Sequence, residues 1–117
     1  MKVVIRSNDF TLTDSLRTFL NEQVRKSMSV CARNIELITI RLKDINGPKG
    51  GVDKECIVEI QIANQSPVVV KKRNSDAYRG IRQAVTRAAR VALRRLRKRQ
   101  DQKSSASVHL DDAIVST

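Results

Sequence analysis

The apolar residues of this 117-residue chain change their spacing twice, and few folds accommodate that. Over residues 14–29, Leu16, Phe19, Leu20, Val24 and Met28 recur three and four apart, the repeat of a helix with one apolar face. From residue 35 the period drops to two. Ile38, Ile40 and Leu42 alternate with Thr39, Arg41 and Lys43, and Cys56, Val58, Ile60 and Ile62 alternate with Glu59 and Gln61. That is the pattern of strands buried on one side. From residue 77 the helical spacing returns in Ala77, Ile81, Ala84, Val85, Ala88, Ala92 and Leu96.

Local signals set the boundaries. Val3, Val4 and Ile5 favour a first strand over residues 2–6, and Asn8 with Asp9 makes a turn. Thr13 is a good N-cap for the first helix, with Asp14 in its positive first turn. Strands are expected over 35–43, 54–63 and 68–72, the last starting after Pro67, where a missing N–H is tolerated. Gly and Pro at 47–51 predict a mobile hairpin, and Asn64 to Ser66 a tight turn. Ser75 is the expected cap of the second helix, Asp76 its first-turn acid, and residue 99 its approximate end, on the order of 35 Å along. The order is β-α-β-β-β-α. The economical packing is an α+β two-layer sandwich, with two helices on one face of a four-stranded sheet. Residues 1–99 form one domain, and 100–117 read as a disordered tail with a weak apolar patch at 113–115. Aromatics are only 3% of the chain, so the core is built from Ile, Val, Leu and Ala.

The net charge is +11, and its location says more than its size. Residues 1–70 hold ten Lys/Arg and eight Asp/Glu, residues 71–99 hold twelve against Asp76 alone, and residues 100–117 hold Lys103 against three Asp. On the second helix Arg79, Arg87, Arg90, Arg94, Arg97 and Lys98 lie opposite the Ala-rich stripe, with Arg82 at the boundary. Like charges three and four apart repel by a few tenths of a kcal/mol per pair, and no Glu interrupts them. A helix needing only solubility would interleave acids. Arginine grips phosphate bidentately, so a polyanion is the expected partner. Arg95 and Arg99 lie toward the apolar side, which predicts a last stretch that projects past the sheet into a phosphate-lined groove. Lys71, Lys72 and Arg73 are expected to form a second arm of the basic surface, and Arg25 and Lys26 to flank it as solvated charges. Tyr78 reads as packing at the core edge rather than as a base stacker.

The segments TDSLRTFLNEQVRK and SDAYRGIRQAVTRAARVALRRLRKR, in this element order, resemble the ribosome hibernation promoting factor / ribosome-associated inhibitor A family over residues 1–99. The Thr13 cap with Leu16, and Asp76, Tyr78 and Ile81 followed by Arg87 and Arg90, carry the resemblance most specifically. It implies a cytoplasmic protein, monomeric when free, that binds the small ribosomal subunit and the 70S ribosome. It implies occlusion of the channel used by mRNA and tRNA, silencing idle ribosomes under stress. By position it carries RNA contacts onto Arg79, Arg82, Arg87, Arg90 and Arg94, with Lys71 and Arg73 alongside. Lys72, Arg97 and Lys98 join these as RNA-binding candidates from the charge pattern. Arg82 stands where many relatives carry an acid, the second helix is more basic than usual, and only 18 residues follow Arg99, which reads as a short, divergent form without the long form's dimerisation domain.

Other classes fit less well. A general RNA- or DNA-binding protein is the alternative, although few Asn or Gln stand on the basic face to read bases. A membrane-surface helix would carry large apolar residues where this one carries Ala. No apolar run reaches the roughly 18 residues of a membrane span, and the start MKVVIR lacks a signal peptide's apolar stretch. Cys31 and Cys56 are too few and too far apart for a zinc site or disulfide framework and read as buried thiols. His109 is the only histidine, and GPKGG lacks the context of a phosphate-binding loop, so no catalytic residue, cofactor, metal or small-molecule substrate is expected.

Overall fold

A computed structural model describes residues 1–8, 12–44 and 54–110, with side chains as far as Lys98. The chain runs β1 (Lys2–Asn8), α1 (Asp14–Met28), a 3-10 turn (Ala32–Asn34), β2 (Ile35–Asp44), β3 (Lys54–Ile62), β4 (Val68–Asn74) and α2 (Ala77–Leu110). One four-stranded sheet has the order β1-β2-β3-β4. The β1 and β2 strands pair in parallel, Val3 opposite Ile38 and Ile5 opposite Ile40. The other two pairings are antiparallel, with Cys56 opposite both Leu42 and Lys72, and Ile60 opposite both Ile38 and Val68. The parallel pair needs a long crossover, which α1 supplies. The α+β order and the single sheet are those read from the periodicities.

The core lies between sheet and helices. Leu16, Leu20, Val24 and Met28 from α1 and Ile81, Ala84, Val85, Ala88, Ala89 and Ala92 from α2 meet Ile38, Ile40, Leu42, Val58, Ile60 and Val68 from the sheet. Both cysteines are buried and free. Burial raises the thiol pKa of Cys31 and pushes that of Cys56 up to about 12, so neither is a ready nucleophile. Leaving the core, β3 passes into β4 through Asn64, whose φ of 62° is a left-handed conformation that Asn tolerates.

Thr13 caps α1 as expected, its Oγ1 accepting from the Leu16 N–H at 3.1 Å. The cap of α2 is Asp76, not Ser75. Its Oδ1 accepts from the N–H groups of Tyr78 at 2.9 Å and Arg79 at 3.4 Å, while its own N–H donates to Asn74 Oδ1. A carboxylate at that position satisfies two free donors and meets the positive helix end, which a hydroxyl one residue earlier cannot do.

The far end of α2 also differs. The helix continues to Leu110, past the end near residue 99 expected of it. No Gly or Pro occurs there to stop it, and Gln, Lys and Ala propagate a helix well. Residues 111–117, with the apolar patch at 113–115, and the GPKGG hairpin lie outside the described residues. No helix among the described residues is long and apolar enough to cross a membrane.

Candidate nucleic-acid interface

The outer face of α2 is built by its inner face. Ala84, Ala88 and Ala92 have almost no side chain to hold the helix off, and α2 lies close against both β3 and β4. The buried arc is wider than the sequence suggested, because α1 packs along one side and takes in Ala89. The opposite side of the helix is turned to solvent. Arg79, Arg87, Arg90, Arg94, Arg97 and Lys98 are all exposed. At 100° per residue they share an arc of roughly 100°.

None of these six cations forms an ion pair among the described residues. At the distal end Arg90, Arg94, Arg97 and Lys98 border a shallow groove of about 450 Å³ with Leu93 in it. Four cations around one apolar residue form a surface that attracts an anion without offering carboxylates to compete for it.

Two arginines of the same helix are placed differently. Arg82 is exposed but leans toward α1, its guanidinium carbon 5.9 Å from the centre of the Phe19 ring. Phe19 in turn meets Tyr78 edge-on at 4.9 Å, so Tyr78 packs at the core edge, as read from the sequence. Arg95 is half-buried and reaches the turn before β4, donating to the carbonyls of Ser66 at 2.8 Å and Pro67 at 3.4 Å. It fastens α2 to the sheet where β4 begins. Leu96 still packs against the core, and the 15 residues from 96 to 110 extend roughly 22 Å beyond Arg95. That accounts for the molecule's 63 Å long axis.

The expected second arm is split by the pleat of β4. Val68 and Val70 point to the helices, so Lys72 shares their side and is half-buried beside the helical layer. Lys71 and Arg73 stand on the opposite, open face of the sheet. Arg73 Nε donates to Glu55 Oε2 at 3.0 Å, over a carboxylate that is itself buried. Six of the seven α2 candidates therefore form one surface, with Arg82 turned aside toward α1; Lys72 stands on the same side of the sheet, and Lys71 and Arg73 do not join them. The sequence reading missed the company those two keep. Arg6, Arg41 and Lys43 occupy outward positions on the same open face. Their alternation was visible, but their meeting depends on strand order.

The comparisons with known proteins agree with this architecture. Residues 3–103 match the family described as sigma 54 modulation protein / S30EA ribosomal protein. The fold is similar to a ribosomal subunit interface protein from Coxiella burnetii, with 16% identity, a TM-score of 0.65, and 76% of this chain and 90% of that one covered. It is also similar to the N-terminal domain of Protein Y from Thermus thermophilus, at 18% identity and a TM-score of 0.62, covering 80% of this chain and 93% of that one. No curated protein sequence matches the chain. A match across 101 of 117 residues, on the element order and helix positions described above, makes this chain a member of the sigma 54 modulation / S30EA ribosomal protein family.

Proposed function

We propose that the protein binds the small ribosomal subunit, alone and within the 70S ribosome, by setting the α2 ridge against ribosomal RNA phosphates, and that it silences idle ribosomes by filling the channel used by mRNA and tRNA. The observation that carries this reading is the row of six outward cations without an ion pair among the described residues. Such a row raises the free energy of the isolated helix, and phosphates lower it again. Folded RNA presents phosphates in fixed arrays, and a rigid helix with Arg at regular intervals matches an array better than a flexible tail does. Family membership supports the ribosome as the source of that RNA.

Inhibition on this reading needs no chemistry. A wedge 63 Å long and 25 by 18 Å across excludes other RNA from whatever channel it fills. Gln83 is the one amide within the arc of the six cations, too few for base readout, which suits recognition by shape and charge. Co-sedimentation with purified 30S and 70S particles is the test. The protein is expected in the pellet at low salt. Six neutralised phosphates should cost roughly a thousandfold in affinity between about 50 and 200 mM salt. A protein that stays in the supernatant at low salt overturns the reading. Tighter binding to duplex DNA than to ribosomal RNA at physiological salt would favour a general nucleic-acid binder instead.

A further inference from the structure

We infer that the open face of the sheet is a second RNA-binding surface, so that the protein grips RNA from both sides. The inference shares with the proposed function only the premise that RNA phosphates are the ligand. It starts from the register. Arg6 on β1 stands directly beside Arg41 on β2, Arg41 opposite Ile57 on β3, and Ile57 opposite Lys71 on β4. The next outward row along the strands holds Asn8, Lys43, Glu55 and Arg73 in the same order. Five cations thus occupy two adjacent rows, with neighbouring strands about 4.8 Å apart.

Two carboxylates share this face, and both are occupied. Glu55 accepts from Arg73 at 3.0 Å, and Glu59 lies 3.7 Å from Arg41. Glu36 sits at the irregularity between the paired residues Ile35 and Leu37, near the far end of β2 from these rows. Arg6, Lys43 and Lys71 form no ion pair among the described residues. Like charges side by side on neighbouring strands are unfavourable, and sheets ordinarily place opposite charges there. The Arg6–Arg41 pair goes the other way on a face that no helix covers. Val69 and Ile57 stand among these charges, Val69 60% exposed. A flat face with spaced cations and exposed aliphatic groups fits a phosphate backbone, whereas an extended acidic peptide would add along the edge of β1 or β4, off these rows. The α2 ridge lies on the other side of the sheet, so the two surfaces can hold different RNA segments at once.

The experiment mixes the full chain with two short RNA duplexes, one carrying a donor dye and one an acceptor. The unmodified protein is expected to give energy transfer at low salt and equimolar protein. The double variant Arg6→Glu with Lys71→Glu is expected to bind a single duplex within about threefold of the unmodified protein while losing most of the transfer. Arg6→Gln with Lys71→Gln guards against misfolding and should show the same loss to a smaller degree. Absence of transfer by the unmodified protein overturns the inference, as does transfer by both variants at the unmodified level. The two readings fail separately. A missing ribosomal pellet removes the ribosome as target and leaves bridging intact, whereas a ribosomal pellet without bridging leaves a one-sided binder.

Discussion

Helix α1 stands on Leu16, Leu20, Val24 and Met28, large side chains that reach the sheet from a distance, whereas α2 lies on Ala84, Ala88 and Ala92 with its backbone close to β3 and β4. The outer faces differ as much. On α1, Asp14 and Glu22 offset Arg17, Arg25 and Lys26, while residues 77–98 of α2 carry eight cations and no acid. The contrast teaches that one helix can be held in place by volume and another by proximity. Only the second gives a ridge that is both rigid and free to be all of one charge, because Ala packing and the Arg95 anchor hold it without help from surface ion pairs.

The comparison breaks first in the core. Leu20→Ala should destabilise the protein by about 2–5 kcal/mol in urea unfolding, since it empties a fully buried site that α1 cannot close. Ala88→Leu runs the opposite way and should cost about 1–3 kcal/mol by forcing α2 off the sheet. If Ala88→Leu proves neutral, α2 stands off as α1 does and the close-packing account fails. The caps sharpen the contrast on a smaller scale. Asp76→Ala and Thr13→Ala should each cost about 1 kcal/mol in thermal unfolding, and Ser75→Ala much less. The smallest effect is alkaline. Cys56 in the unfolded chain ionises near its ordinary 9.0, but in the fold only near about 12, so stability should fall as pH rises from 9 toward 12. Cys56→Ala should flatten that slope.

Much of this was legible in the sequence because it is local. The periods of two and of three to four placed the elements, and the Ala stripe of α2 gave its close approach. Where the reading went astray, the deciding fact was geometric or distant. Ser75 and Asp76 are both plausible caps, and only the direction of the N–H groups of Tyr78 and Arg79 separates them. The expected end of α2 near residue 99 fell short, because nothing in residues 100–110 stops a helix. Lys71, Lys72 and Arg73 looked like one basic patch in a linear reading, but the pleat sends Lys72 to one side and its neighbours to the other. The meeting of Arg6, Arg41 and Lys71 needs the order of four strands, which no local signal contains.

The central claim is that position on the α2 ridge, rather than net charge, sets the affinity for ribosomal RNA. The direct measurement is the salt dependence of binding to small ribosomal subunits for two variants of equal charge, Arg87→Gln with Arg94→Gln on the ridge and Arg25→Gln with Lys26→Gln on α1. The ridge pair should lower the slope of log affinity against log salt by about 1.5, because two phosphates are no longer neutralised, while the α1 pair leaves it nearly unchanged. Equal changes in slope from both pairs would contradict the account and leave the basic helix as no more than a store of charge.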